Sequence, residues 1–187
     1  MVQTVTKPLT IEEFLQLPET KPASEFIDGQ IIQKPMLQGK HSTVQLDLGA
    51  SINLVLKPQH IARAYSELRC TLGGKSIVPD VAVFTWGRIP RDENGEVSNT
   101  FSTAPDWTIE ILSPNQSQTK VVRKILHCLA CGTQMGWLID PEEKLVFVYF
   151  SDRTLAVFEE EGDRLPVLSF AESFNLTVGQ LCSWLME

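Results

Sequence analysis

The sequence predicts one α/β domain spanning residues 1–187 around a mixed, twisted β-sheet, and three observations carry that expectation. A chain of 187 residues suits a single domain with a sizeable core. The runs Ile77–Phe84, Trp107–Leu112 and Gly136–Asp140 are short, apolar and bounded by turn-formers, so each reads as a buried strand. Stretches of helical periodicity alternate with them, giving the order helix, hairpin, helix, strands, helix, strands. No internal repeat, low-complexity tract or linker breaks that order.

Leu9 to Leu15 opens with a short helix, because Thr10 and Glu13 have capping-box spacing and each can satisfy a free backbone N–H. Ser24–Ile27 and Gln30–Gln33 flank Asp28-Gly29, a strong signal for a two-residue hairpin turn in which both residues need positive φ. From Ser42 to Leu56 the apolar residues Val44, Leu48, Ile52 and Val55 recur at three and four, which makes an amphipathic helix. Tyr65 to Leu72 reads as a strand that leads through Gly73-Gly74-Lys75 into the Asp80 strand. Gly87 to Thr103 is polar and rich in turn-formers, so an exposed loop is expected there. A helix from Ser117 to Cys131 stops at Gly132, a natural residue just past a helix end. Leu145–Phe150 and Thr154–Phe158 form a second hairpin, and Thr177–Leu185 closes the chain as a helix with Thr177 and Gln180 at capping-box spacing.

Hydrophobic residues at 43% and charged residues at 21% are ordinary for a soluble globular protein, and no apolar stretch approaches the length of a membrane span. The first residues lack the basic-then-apolar order of a secretory signal, so the cytoplasm is the expected compartment. Four scattered cysteines do not make a disulfide framework. A net charge of −7 argues against bulk electrostatic binding of nucleic acid while leaving room for local contact.

Two of the apolar runs carry an acid in their interior, Asp80 in one and Glu110 in the other. A carboxylate inside a buried strand is costly unless something pairs with it, and a hard divalent cation would satisfy both acids at once. The alternative is that they sit at strand ends, bonded to backbone N–H groups or to Arg69. If the strands are neighbours, Asp80 and Glu110 converge on one edge as Mg²⁺ ligands, with Mn²⁺ as a substitute, and the small Ala82 and Thr108 leave room there. Such a site suits metal-assisted hydrolysis of phosphate esters, above all nucleic acid. No acid occurs between Glu110 and Asp140, and the helix there supplies Lys120, Arg123, Lys124 and His127. Lys124 lies at the edge of the apolar arc and can reach back to the sheet as the catalytic cation, while Lys120, Arg123 and His127 are candidates for phosphate contact.

Pro79-Asp80, Glu110 and a downstream lysine resemble the PD-(D/E)xK nuclease superfamily. Ser24-Glu25-Phe26-Ile27-Asp28-Gly29, His41-Ser42, Val78–Val83, Ile109–Pro114 and Gly136–Pro141 narrow the likeness to its Uma2-like branch of cyanobacterial endonucleases, over residues 10–152. The resemblance implies a restriction-endonuclease-like fold, a Mg²⁺-type site, a DNA substrate and a homodimer. The usual (D/E)xK lysine would fall at Leu112; the branch is similar in moving it to the next helix, where Lys124 stands. Positions that in the branch tend to hold Asp and Tyr are here Lys120 and Cys128. These departures set an alternative function: a nuclease-fold domain without turnover that binds nucleic acid or protein.

Glu25, His41 and Glu67 are possible supporting residues. Glu25 could be a further ligand or orient water, His41 could touch phosphate or metal, and Glu67 could add an acid from the preceding strand. Their plainer roles are a cross-strand pair, a helix-start residue and a solvated strand residue. Cys128-Leu129-Ala130-Cys131 has metal-type spacing, but with no second such pair it reads as helix packing. Trp107 and Trp137 read as core, and Trp86 as a loop anchor that could instead stack on a base.

Overall fold

Asp28 and Gly29 both take positive φ, at 52° and 78°, and so fold β1 (Ser24–Ile27) and β2 (Gln30–Gln33) into the expected antiparallel hairpin. This is a computed structural model, and it describes residues 9–114 and 116–186. The opening helix α1 (Ile11–Leu15) has its capping box, with Thr10 and Glu13 each accepting from the other's backbone N–H. Helix α2 (Gly39–Leu56) begins three residues earlier than its periodicity suggested and buries Val44, Leu48, Ile52 and Leu56.

The two long strands expected between Tyr65 and Phe84 are each broken in two. β3 (Ala62–Ser66) and β4 (Cys70–Leu72) are separated by Glu67, whose φ is 48°. β5 (Lys75–Ile77) and β6 (Val81–Thr85) are separated by Val78-Pro79-Asp80. At each break the chain changes sheet. β4 and β5 join the hairpin in a four-stranded antiparallel sheet of order β2-β1-β5-β4. β3 and β6 enter a six-stranded sheet together with β7 (Trp107–Ile111), β8 (Met135–Asp140), β9 (Leu145–Phe150) and β10 (Leu155–Phe158). Its order is β10-β9-β8-β7-β6-β3, and it is mixed as expected: β7 and β8 are parallel and the other pairs antiparallel. Asp80 therefore stands just before β6 rather than inside a strand, because proline and the change of sheet interrupt the run.

Side-chain alternation divides the large sheet into two faces. One face, with Val81, Val83, Trp107, Ile109, Trp137 and Ile139, packs on α2 and on the closing helix α4 (Val178–Ser183). The opposite face of β7 presents Thr108 and Glu110. On that side lie α3 (Gln118–Ala130) and the small sheet, joined by cores around Ile125 and around Ile77, Phe84 and Cys128. The loop after β6 is less exposed than its composition suggests. Ile89 and Phe101 are buried, and Phe101 packs against Tyr65 and Phe84. Trp86 has His60 stacked 4.3 Å away and Arg91 5.7 Å away, which makes it an anchor of this loop.

Gly136 sits in β8 beneath α3, and a methyl group there would overlap the Ile125 side chain. Its lack of a side chain lets α3 sit low on the sheet, which brings Lys124 within reach of β7. Gly136→Ala is expected to lower stability by about 1–3 kcal/mol through overpacking. Urea unfolding would check this, and the cost should largely vanish on an Ile125→Ala background if the clash is its cause.

Candidate active site

Asp80 is fixed by both of its ends. Its backbone carbonyl accepts hydrogen bonds from the Gln45 side-chain amide at 2.8 Å and from the Glu67 N–H at 3.2 Å. Its Oδ2 accepts the Ile111 backbone N–H at 2.8 Å and lies 3.1 Å from His41 Nε2. Its Oδ1 accepts from Lys34 Nζ at 2.6 Å. Burial alone would raise this carboxyl, but the His41 hydrogen bond and the charges of Lys34 and Lys124 outweigh it and hold Asp80 below the usual carboxylate range.

Glu110 is the fourth residue of β7 and only 1% exposed. The antiparallel register pairs Val81 with Ile109, and one further step along each strand sets Asp80 beside Glu110. Glu110 Oε2 lies 2.7 Å from Lys124 Nζ, while Oε1 is buried and has no hydrogen-bond partner among the described residues. Burial pushes this carboxyl up to about 8; Lys124 pulls against that, and the neighbouring charge of Asp80 adds to it.

Lys124 joins two acids. Its Nζ is 2.7 Å from Glu110 Oε2 and 3.0 Å from Glu25 Oε1. Burial works to lower its pKa, but Glu110, Glu25 and Asp80 together raise it, so it remains a cation. Glu25 comes from β1 and also accepts the Val78 N–H at 2.7 Å, which fixes it to the turn that carries Asp80. It is buried, so the exposed cross-strand role does not apply to it.

Beside the cluster runs a groove of about 740 Å³ between the β1–β2 hairpin and α3, with Asp80 and Glu110 buried behind its lining. Glu25, Lys34 and Lys124 line its floor. Lys75, Lys120, Arg123 and His127 line its walls, with Asp28 as the other acid. Five lysine or arginine side chains thus face two acids in a chain whose net charge is −7, so the groove has the sign a polyanion requires. Arg123 reaches Asp28 at 3.3 Å, Lys120 is exposed, and His127 Nε2 is 3.0 Å from the Leu72 carbonyl oxygen.

The structure brings Asp80, Glu110, Lys124, Glu25 and His41 into one cluster. His41 does so from beneath: it is 3% exposed, absent from the groove lining, and turned to Asp80 rather than to an open site. Glu67 lies at the margin with its side chain 40% exposed, in the break between β3 and β4 rather than within a strand. Cys128 is buried in the core and close to Thr108. Lys34 and Gln45 were not singled out in the sequence. Gln33-Lys34-Pro35 has the look of an exposed turn, and Gln45 is one polar residue on a helix; the only hint was that a buried Asp80 needs partners.

The donor set fits a hard divalent cation. Glu110 Oε1 is a buried oxygen without a hydrogen-bond partner among the described residues, and Glu25, Asp80 and Glu110 offer a metal only oxygen ligands. Among the described residues no three His, Cys, Asp or Glu side chains surround a common metal position. Mg²⁺ requires fewer, since it retains several waters beside one or two carboxylates.

Among the described residues, no helix is long and apolar enough to cross a membrane. No curated protein matches the sequence. A crystal structure of a putative nuclease belonging to DUF820 from Anabaena variabilis ATCC 29413 superposes with a TM-score of 0.94 at 62% identity, over 95% of this chain and 99% of that one. The family model Uma2, described as a putative restriction endonuclease, matches residues 11–179. With the fold shared and the match running through every element that carries the acid–lysine cluster, the chain belongs to the Uma2 family.

Proposed function

We propose that this protein is a divalent-metal-dependent endonuclease that hydrolyses DNA phosphodiester bonds in the groove between the β1–β2 hairpin and α3. The observation that carries the reading is the meeting of Asp80, Glu110, Glu25 and Lys124, from four separate segments, where Glu25 and Lys124 line a basic groove in an acidic chain and the other two acids lie directly behind them. Asp80 and Glu110 would hold Mg²⁺ or Mn²⁺. Bound there, the ion supplies Lewis-acid activation of water and neutralises charge on the phosphate. Hydrolysis joins the water oxygen to phosphorus and breaks the bond to one sugar oxygen. Lys124, held between Glu25 and Glu110, is placed to donate to a non-bridging oxygen as negative charge grows on it. Lys75, Lys120, Arg123 and His127 hold the flanking backbone, a role that needs no base contact.

A second reading, a domain that binds DNA without cutting it, draws on Lys120 and Cys128. Their positions leave the acid–lysine cluster itself intact. Lys120 is exposed at the groove wall, where a cation helps to bind phosphate, and Cys128 belongs to the apolar core.

The test is cleavage of supercoiled plasmid and of single-stranded DNA with Mg²⁺ or Mn²⁺. Asp80→Ala and Glu110→Ala should abolish activity, and Lys124→Ala should lower it by about 10²–10³-fold with the fold retained. Cleavage that persists in both acid variants would place the chemistry elsewhere. A folded wild type that cuts neither substrate but still binds DNA would select the binding reading.

Glu110 also links stability to pH. Folded, it keeps its proton up to about 8, whereas its reference value is 4.5, so between these values the unfolded chain binds fewer protons than the native state. The slope of unfolding free energy with pH is then negative, and the metal-free protein loses stability from this group as pH rises through that window. Glu110→Gln removes the effect. Thermal unfolding without metal should show the variant gaining on wild type from pH 5 to pH 8; a gap that does not change with pH would refute the linkage.

A further inference from the structure

We infer that Lys34 is a displaceable counter-ion for Asp80, which occupies Oδ1 in the metal-free protein and passes to Glu67 when a divalent cation takes that oxygen. This rests on the metal site proposed above and concerns how that site opens.

The two oxygens of Asp80 are held in different ways. Oδ2 is engaged by a strand backbone, Ile111 N–H, and by a buried ring, His41, neither of which is free to move away. Oδ1 is held by Lys34. Lys34 lines the groove and Asp80 lies behind it, so a ligand entering from the groove meets Lys34 before it can reach Oδ1. An ammonium and a metal ion on that one oxygen would repel each other at close range in a buried place, so the two compete for it.

Lys34 has somewhere to go. Its Nζ also donates to the Val78 carbonyl at 3.0 Å and lies 3.5 Å from Glu67 Oε1. Glu67 is held beside it by its own N–H, which donates to the Asp80 carbonyl, and its side chain is 40% exposed. A small rotation of an unbranched side chain transfers the charge from a buried acid to one that faces solvent. The charge count favours that transfer. Glu25, Asp80 and Glu110, when ionised, exceed Lys34 and Lys124 by one negative charge. A divalent cation added without compensation would leave the buried cluster positive, and the outward step of Lys34 restores balance. Lys124 need not move, because it binds Glu110 through Oε2 and leaves Oε1 free. The two lysines thus have separate tasks: Lys124 remains with the reacting groups, and Lys34 is a positioning residue that acts through Asp80.

Calorimetric titration of the metal-free full-length protein with MnCl₂, in the absence of DNA, tests this. Lys34→Met should tighten metal binding by about tenfold, because the competitor is gone, and Lys34→Arg should stay near wild type because it keeps the charge. Glu67→Gln should weaken binding by about threefold, because the receiving acid is gone. A merely structural role for Lys34 predicts the opposite sign, a loss of affinity in Lys34→Met. If wild type binds Mn²⁺ and Lys34→Met binds it equally or more weakly, the inference fails while the metal site stands. Should Lys34→Met not fold without metal, Glu67→Gln decides: an unchanged affinity overturns the inference. No heat of binding in wild type or in any variant would refute the metal site itself.

Discussion

Asp80 is a buried carboxylate that every neighbouring element must reach. The β1–β2 hairpin sends Lys34, α2 sends His41 and Gln45, and β7 offers the N–H of Ile111. An ionised group at 3% exposure would be prohibitively costly without those partners. Each bond also fixes a spacing: between the two sheets, between α2 and the chain crossing above it, and between β6 and β7. The groove takes its shape from this. Removing the Asp80 carboxylate would leave the Ile111 N–H and the buried His41 ring without their acceptor, so the residue is structural as well as a candidate ligand.

The division of labour between the sheet faces follows from strand alternation. Trp107, Ile109 and Ile111 face the α2 side and fill a dry core, while Thr108 and Glu110 between them face α3. β7 is thus both a wholly buried strand and the carrier of the Glu110 carboxylate. The chain as a whole is negative while five lysine and arginine side chains gather in the groove, so an anion would be drawn there more than a net charge of −7 suggests.

Much of this was legible in the sequence, for local reasons. Capping boxes, the Asp-Gly turn and the period of α2 and α3 depend on residues a few positions apart, and the structure has all of them. The mixed sheet was legible too, from the alternation of apolar runs with helices. The two breaks, at Glu67 and at Val78–Asp80, were not. Nothing local separates a strand that continues from one that leaves for another sheet, and the positive φ of Glu67 contradicts its residue type. The acids and Lys124 could be found because charge in an apolar run is conspicuous. Lys34 could not, since a lysine after a polar hairpin strand is ordinary, and its burial results from how the second sheet folds over the first.

The bonds that make the site span long stretches of chain: Lys124 and Glu25 are 99 residues apart, Lys34 and Asp80 46, and Asp80 and Ile111 31. Such pairings raise the contact order of the fold, and the loop entropy of closing them is lost before any of them contributes stability. The acid–lysine cluster therefore exists only in a chain whose β1–β2 hairpin, α3 and β7 have already been brought together. A partly folded chain would have helices and hairpins but no assembled site, so its capacity for chemistry would switch on with the final docking of the β1–β2 hairpin and α3 rather than grow with secondary structure. For a protein that would cut DNA, this coupling is protective, because misfolded or nascent copies have no nuclease to release.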